Sequence, residues 1–238
     1  PIFTYKINAK VMDSTGETQE CNTTVKAGYV ALEVSINVPE TVGKEDTLNI
    51  SINTKNLNGN FEPADISVAI RKIEEPNRLL RKRYWQQPDQ FVISKKDYIK
   101  YFPYDVYADE NLLEQRKRGA TLKIINQTTT KDFTIELPDI KNWQTGKYEV
   151  KLTAKDKNGK DIELMKVFQL QDLDSNVSSN NEICSFKVLN SIVEVGNEVE
   201  VLISTADENV QVFYTLEHQN NLVKDEWISV PKGQQIIR

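Results

Sequence analysis

Residue types that could perform catalysis or bind a metal are sparse in this chain of 238 residues. His218 is the single histidine, so a site that needs two or more His ligands is excluded. Cys21 and Cys184 lie far apart in the sequence, lack CxxC spacing and cannot by themselves form a four-ligand zinc site. We expect two buried, inert thiols, with a disulfide as the alternative.

The 35 carboxylates include no pair whose spacing stands out as a general acid and base. Asp13 and Asp156 lie at predicted turns, where we interpret them as turn formers. His218 lies near the end of a predicted hairpin, and we interpret it as an exposed loop residue. The sequence contains no G-x-S-x-G, P-loop, H-E-x-x-H or EF-hand pattern. We therefore expect no enzymatic activity, no bound metal and no cofactor.

One segment concentrates cationic and aromatic side chains that could bind a partner. The cations could meet an acidic or phosphate group, and the rings could stack on a sugar or a peptide. In the competing interpretation, Trp85, Phe91 and Phe102 anchor the segment to the neighbouring sheets while the cations stay solvated. A flexible loop open to trypsin-like proteases is a third alternative. The candidate partner surface consists of Arg78, Arg81, Lys82, Arg83, Tyr84 and Trp85.

The overall composition favours β structure. The chain has 21 Asn and 17 Thr, which favour turns and strands respectively. Its formal charge of −5 gives no global basic field, so we expect no nucleic-acid partner. No apolar run approaches the roughly 20 residues of a membrane helix, so we expect no membrane span.

The chain contains an internal repeat. Tyr5 and Tyr148 each begin a segment that reads Tyr, seven residues, Asp, two residues, Gly, and the two segments lie 143 positions apart. Apolar residues alternate with polar ones in both, as is typical of a half-buried strand. The Asp-x-x-Gly sequence predicts a tight turn, in which Asp accepts backbone hydrogen bonds and Gly takes a positive φ. We therefore predict the same β-hairpin twice, one domain length apart.

If each hairpin closes a domain, the domain boundaries follow. Residues 1–28 form the closing hairpin of a truncated sandwich domain, and residues 29–171 form a complete sandwich. Residues 172–182 form a polar linker, and residues 183–238 form the N-terminal part of a further sandwich domain. Seven predicted strands with turn signals between them favour an immunoglobulin-like sandwich in the middle. The predicted fold class is all-β, with tandem immunoglobulin-like domains.

Residues 75–119 interrupt the strand pattern of the middle domain. Without them 98 residues remain, a normal sandwich length, so we interpret the segment as an insertion. Ser94 predicts the start of a short helix that ends at Pro103, and Asp109 predicts the cap of a second helix over residues 110–118. The insertion thus adds a short helical element to an all-β domain.

The hairpin in residues 1–28 needs a packing partner, because an isolated two-stranded hairpin is marginally stable in water. Residues 183–238 supply opening strands without a closing hairpin, so the two pieces are complementary. We expect the hairpin to dock on the middle domain or to complete the third sandwich, within the chain or from a neighbouring copy.

The hairpins resemble the closing hairpins of macroglobulin-like domains: Tyr5-KINAKVMDSTGET in the first and Tyr148-EVKLTAKDKNGKD in the second. Residues 36–71 resemble the opening region of the same domain type, in which Pro39 and Val42 precede Asp46 and apolar residues then alternate. The insertion also resembles bacterial alpha-2-macroglobulin-like proteins. The resemblance covers most of the chain.

This resemblance implies a large extracytoplasmic parent protein, periplasmic or on the cell surface, that traps or inhibits proteases. Many family members carry a thioester in a Cys-Gly-Glu-Gln motif, which neither cysteine here matches. For this chain it implies a non-catalytic scaffold, with other domains of the parent and, through the parent, proteases as partners. The alternatives are a carbohydrate-binding or adhesive module that uses the aromatic insertion around Tyr84–Tyr107, and an accessory domain of an enzyme.

Overall fold

The computed structural model describes residues 2–81, 83–178 and 181–238. Strands hold 51% of the residues and helical turns 6%, so the predicted all-β class is confirmed. No helix in the described part of the chain is long and apolar enough to cross a membrane.

The chain begins with a two-stranded antiparallel ribbon, which we call the first hairpin. Strand β1 spans Ile2–Met12 and strand β2 spans Thr18–Gly28. Asp13 at the turn accepts backbone hydrogen bonds from Thr15 and Glu17, at 2.8 and 3.0 Å, and Gly16 has a φ of 85°. The predicted turn is confirmed, because Asp and Gly play the roles that the spacing assigned to them.

The middle of the chain folds as a sandwich of two sheets. One sheet has the order β3-β5-β8, and the other has the order β4-β10-β9-β6-β7, in which only the β4–β10 pair is parallel. The strands are β3 Leu32–Asn37, β4 Thr41–Gly43, β5 Leu48–Asn56, β6 Asp65–Ile73, β7 Arg118–Thr128, β8 Phe133–Leu137, β9 Gly146–Lys155 and β10 Asp161–Gln171. A 3₁₀ turn over Pro138–Asn142 is the one helical element between β8 and β9.

Alternating residues of the two sheets form the core. Ile50 and Ile52 of β5 belong to the same buried cluster as Val150 and Leu152 of β9, and all four side chains are fully buried. Tyr148 stacks on Phe168, with ring centroids 5.3 Å apart. Burial of each such side chain stabilises the fold by roughly 1.5–3 kcal/mol, so this layer holds the sandwich together.

The hairpin that closes the sandwich, β9–β10, repeats the turn of the first hairpin and adds one contact. Asp156 accepts backbone hydrogen bonds from Asn158 and Lys160, both at 2.8 Å. Its second oxygen accepts from the backbone N–H of Ala31, at 3.0 Å, just before β3. This bond, with the two from the turn, lowers the pKa of Asp156. The closing turn therefore fastens the first strand of the sandwich as well as its own hairpin.

The last part of the chain holds two smaller sheets, which we call the third unit. A three-stranded sheet has the order β11-β12-β15, and β13 pairs with β14 as a ribbon. His218 is exposed at the end of the β13–β14 hairpin, where the sequence predicted it. The strand at the end of the chain, β15, was not predicted. The strands are β11 Ser185–Val188, β12 Val201–Thr205, β13 Val210–His218, β14 Asn221–Val230 and β15 Gly233–Ile237.

The expected packing of the first hairpin within its own chain is wrong, and so is the expected burial of the two thiols; packing on a neighbouring copy stays a prediction. Residues 2–27 are exposed throughout, so the first hairpin does not dock on the middle domain or the third unit of its own chain. Near its base, the backbone N–H of Lys26 reaches the side chain of Asn58, at 3.5 Å, and Gly28 lies beside the side chain of Leu57. Cys21 and Cys184 are both free and exposed rather than buried, because they lie on the first hairpin and at the open start of β11.

Candidate functional site

The insertion leaves the sandwich after Ile73 and returns at Arg118, between two neighbouring strands of the five-stranded sheet. Helix α1 spans Lys95–Tyr101, and Ser94 caps it as predicted by accepting a hydrogen bond from the backbone N–H of Asp97. The predicted second helix is wrong. Only a 3₁₀ turn forms at Leu113–Gln115, because the following residues enter β7, where Arg118 pairs with Ile73.

A buried carboxylate fastens the base of the insertion to the sandwich. Glu149 of β9 is 2% exposed and accepts hydrogen bonds from Arg71, at 2.7 Å, and from Arg118, at 2.9 Å. Burial raises the pKa of Glu149, but the hydrogen bonds and charges of the two arginines outweigh it and lower the pKa below its usual value. Arg118 also donates to the carbonyls of Leu113 and Glu114, so the same ion cluster holds the returning chain.

The predicted cations of the partner surface bind the insertion itself. Arg78 donates to the carbonyls of Pro103 and Asp105 and to the carboxylate of Glu110, all at 2.7–2.8 Å. Arg81 forms an ion pair with the Asp105 carboxylate, which raises the pKa of the guanidinium. Arg78 therefore binds inside the fold through both of its terminal nitrogens, whereas Arg81 binds Asp105 through Nε and keeps an exposed side chain. Lys82 lies outside the described residues.

Arg83 organises the segment that follows α1. One guanidinium nitrogen lies within 2.9–3.2 Å of the carbonyls of Val106, Tyr107 and Ala108. The other donates to Gln87, at 3.1 Å. The expectation that Arg83 is largely solvated is wrong: its side chain is half-buried and bridges the two ends of the aromatic segment.

We expect Arg83→Met to loosen the insertion while the sandwich keeps its fold. Hydrogen bonds from a charged group are worth about 1.5–3 kcal/mol, so a loss of about 2 kcal/mol raises the open fraction roughly thirtyfold. Chymotrypsin cleavage in residues 84–107, under conditions where reclosing is fast, measures that fraction. Lys96→Met removes an exposed cation from the same insertion and should change the rate less than twofold. Equal rates for the two variants would contradict the bridging role of Arg83.

The aromatic side chains of the partner surface are exposed to solvent. Tyr84 is 81% exposed and Trp85 is 54% exposed. Phe91 and Phe102 are also exposed, so the expectation that these rings anchor the insertion to the sandwich is wrong. The rings pack on one another instead: the centroids of Phe91 and Tyr107 lie 4.5 Å apart.

The rings of Trp85, Phe91, Tyr98 and Tyr107 line a cleft of about 230 Å³. The hydroxyl of Tyr107 donates to the carbonyl of Ile93, at 2.8 Å, which fixes the ring in the cleft wall. Because the donors of Arg83 are already engaged, the cleft offers apolar and aromatic surface rather than a free charge. It is lined by Arg83, Trp85, Pro88, Gln90, Phe91, Val92, Ile93, Tyr98, Val106 and Tyr107.

A larger and more open cleft, of about 540 Å³, lies at the opposite end of the sandwich beside Asp156. The carboxylates that line this cleft include those of Asp65, Asp156 and Asp161. Asp65 accepts a hydrogen bond from Thr128, and Asp156 accepts hydrogen bonds from three backbone N–H groups, so both already have partners within the fold. Among the described residues, no group of three or more His, Cys, Asp or Glu is placed to hold a metal ion.

Comparisons with known proteins return remote structural similarity. No protein-family model and no curated protein sequence matches the chain. The chain is similar to a tetra-tandem repeat in the extending region of a large adhesion protein, at 14% identity and a TM-score of 0.32. It is similar to Salmonella alpha-2-macroglobulin reacted with methylamine and to native E. coli alpha-2-macroglobulin, each at 10% identity and a TM-score of 0.33.

Each of these alignments covers 99% of this chain. The chain spans 48% of the adhesion-protein chain and 14% of each macroglobulin chain. The assignment of a sandwich fold rests on the sheets described above.

Proposed function

We propose that this chain is a non-catalytic structural and protein-interaction part of a large extracytoplasmic bacterial protein of the alpha-2-macroglobulin type. In that role it serves protease inhibition or trapping by the parent protein. The exposed aromatic side of the insertion, with Tyr84 and Trp85, is its proposed contact surface for proteins.

The observation that carries this proposal is the repeated hairpin. Asp13 and Asp156 make equivalent backbone hydrogen bonds in the two hairpins, and the sequences of both resemble those that close macroglobulin-like domains. The first hairpin ends at Gly28 and the middle sandwich begins at Leu32, so a short connection joins the hairpin to the sandwich. Such an arrangement suits a spacer in a multidomain chain.

A second candidate function is carbohydrate binding at the same insertion. The exposed ring of Trp85 and the largely apolar cleft beside it favour this alternative, because sugars stack on exposed aromatic faces. The neighbouring rings of Phe91 and Tyr107 are tilted by 30° and do not form one flat platform, which favours a protein ligand.

Binding measurements on the purified chain distinguish the two functions. The immobilised chain is presented with catalytically inactive serine, cysteine and metalloproteases, and in parallel with bacterial and host polysaccharides. We expect protease binding that Trp85→Ala weakens about thirtyfold, as a buried Trp anchor contributes about 2 kcal/mol or more. Trp227→Ala is the matched control, because Trp227 is also exposed but lies on β14, outside the insertion.

Three outcomes would contradict this proposal, each in a different part. Binding of polysaccharide that depends on Trp85, without binding of any protease, would replace the proposed function with the alternative. A folded chain that binds no protease contradicts the protein-interaction role. Equal losses in Trp85→Ala and Trp227→Ala would contradict the assignment of the contact surface.

A further inference from the structure

The segment between the middle sandwich and the third unit, interpreted from the sequence as a polar linker, lies against the third unit. We call its described residues, 172–178 and 181–182, the junction. The side-chain amide of Gln234, on β15, donates hydrogen bonds to the carbonyls of Asp172 and Ser175. Its backbone N–H donates to the carbonyl of Asn176, at 2.9 Å. Gln234 is 8% exposed, so these bonds form away from water, where an unpaired polar group is costly.

Gly233 allows β15 to approach the junction this closely. Its φ is 128°, a conformation that residues with a side chain rarely adopt. A Cβ at this position would lie 2.0 Å from the carbonyl oxygen of Asn176, which belongs to the backbone. The close approach therefore requires glycine, and the pairing of Gly233 with Thr205 of β12 places it there.

Glu182, at the end of the junction, bonds to both units. Its backbone carbonyl accepts a hydrogen bond from the N–H of Ala206, directly after β12, at 2.9 Å. Its carboxylate forms an ion pair with Lys147 of β9, at 2.9 Å. The units also touch directly, since Lys187 of β11 donates to the side-chain oxygen of Gln171 of β10, at 3.2 Å. The junction is therefore held from the sandwich as well as from the third unit.

The base of the insertion contacts the junction as well. The side-chain amide of Asn181 donates to the carbonyl of Pro76, at 2.6 Å. Pro76 follows Glu75, whose carboxylate pairs with Arg116, at 2.9 Å, and the proline ring fixes φ at this point. Glu75, Asn181 and Gly233 line one cleft of about 510 Å³, so the insertion, the junction and the third unit meet there.

We propose that the junction is a rigid joint that holds the third unit at a fixed angle to the middle sandwich, with the base of the insertion as a brace. Relative motion is the usual expectation for two units joined by a polar linker. A flexible linker of 11 residues has a root-mean-square end-to-end distance of roughly 18 Å and samples many lengths. Here hydrogen bonds from β15, from the end of β12 and from the insertion hold the junction along its length and remove that freedom.

The joint gives the insertion a fixed place in the molecule. Asn181 bonds to the base of the insertion and Glu182 bonds to the third unit, so the aromatic side of the insertion keeps one position relative to the third unit. A protein bound at Trp85 would then be held in one orientation to the third unit. This consequence rests on the proposed function, whereas the joint itself does not.

Distances between pairs of spin labels, measured by pulsed electron paramagnetic resonance on the full chain, test the joint. Cys21 and Cys184 are replaced by serine, and labels are attached at Glu136→Cys on β8 and Phe186→Cys on β11, both exposed positions. We expect one distance, with a distribution no broader than that of a reference pair within the sandwich, Glu136→Cys and Asn126→Cys. A distribution as broad as a flexible linker gives would overturn the proposal.

Substitutions in β15 identify the contacts that hold the joint. Gln234→Leu keeps the size of the side chain but removes its donors, so we expect the distance distribution to broaden about twofold or more, toward that of a flexible linker. Gln235→Leu is the matched control, because it makes the same change at the next residue, on the opposite face of β15, and should leave the width unchanged. Equal widths for the two variants would contradict the clamping role of Gln234.

Asn181→Ala tests the brace without altering the sheets of the third unit. It removes the bond to the Pro76 carbonyl, and we expect a smaller broadening in the same direction. A pair of labels within the third unit, Phe186→Cys and Asp225→Cys, shows whether that unit keeps its fold in each variant. Where Gln234→Leu broadens this pair too, the width in Asn181→Ala decides, and no change there would overturn the role of the insertion as a brace. These distances do not depend on protease binding, so the joint and the proposed function can fail separately.

Discussion

Replacing Glu149 with Gln should lower the free energy of unfolding of the middle sandwich by about 3 kcal/mol. The side chain is almost fully buried between Arg71 and Arg118, and both of its oxygens accept from a guanidinium group. An amide keeps the shape but removes the charge that compensates two half-buried cations. Removing one partner of a buried ion pair commonly costs about 3–5 kcal/mol, and we take the lower end because Arg71 is one-third exposed.

The same substitution should also loosen the insertion, since Arg118 holds the carbonyls of residues 113 and 114 only while Glu149 orients it. Urea unfolding measures the stability, and protease cleavage in residues 108–117 measures the loosening. Glu163→Gln is the control, because Glu163 pairs with Lys151 on the exposed face of the same sheet and should cost less than about 1 kcal/mol. Equal losses in both variants would contradict the structural role of Glu149.

The effect of Glu149→Gln should depend on pH in a defined direction. The pKa of Glu149 is lowered in the folded protein, so its carboxylate stabilises the fold above the unfolded pKa of about 4.3. This contribution is lost as the pH falls through the folded pKa. The stability difference between the original chain and Glu149→Gln should therefore be largest near neutral pH and shrink below about pH 4. A difference that stays constant down to pH 3 would contradict the ionised state of Glu149.

Local sequence patterns predicted the strands and turns well, because their causes are local. The alternation that begins at Tyr148 forms β9, and the Asp-x-x-Gly turns at Asp13 and Asp156 form as their spacing required. The pattern could not tell that one hairpin would be buried and the other exposed. Tyr5 and Tyr148 occupy the same position in identical patterns, and only a neighbouring sheet makes them differ.

The candidate site was harder to predict because its contacts join distant parts of the chain. The run that includes Arg78, Arg81 and Arg83 stood out as cationic, but its partners lie more than 20 residues away, at Asp105, Glu110 and a row of carbonyls. The spacing of these groups in the sequence does not predict that they come into contact. The predicted second helix failed for the same reason, since pairing of Arg118 in β7 outweighs the local helix signal.

Replacing Tyr148 with Ala should cost about 4 kcal/mol, the largest loss we expect from a single substitution. Tyr148 is 1% exposed, stacks on Phe168 and contacts the ring of Trp143, whose centroid lies 5.3 Å from its own. Its hydroxyl donates to the carbonyl of Gln144, and burial raises its pKa to about 12, so it stays protonated at neutral pH. The alanine variant loses this packing and leaves a cavity between the sheets. A domain at the low end of ordinary stability, about 5 kcal/mol, would keep only about 1 kcal/mol of it.

Tyr5→Ala is the matched control, because the repeat places the same side chain at the same position of the first hairpin. Tyr5 is 56% exposed, so this substitution should change the free energy of unfolding of the sandwich by less than about 0.5 kcal/mol. Thermal or urea unfolding separates the two variants when it is followed by tryptophan fluorescence in chains that also carry Trp85→Phe and Trp227→Phe, so that Trp143 is the remaining tryptophan. If Tyr5→Ala destabilised the sandwich as strongly as Tyr148→Ala, the first hairpin would have to pack on its own middle domain, contrary to its exposure in the structure.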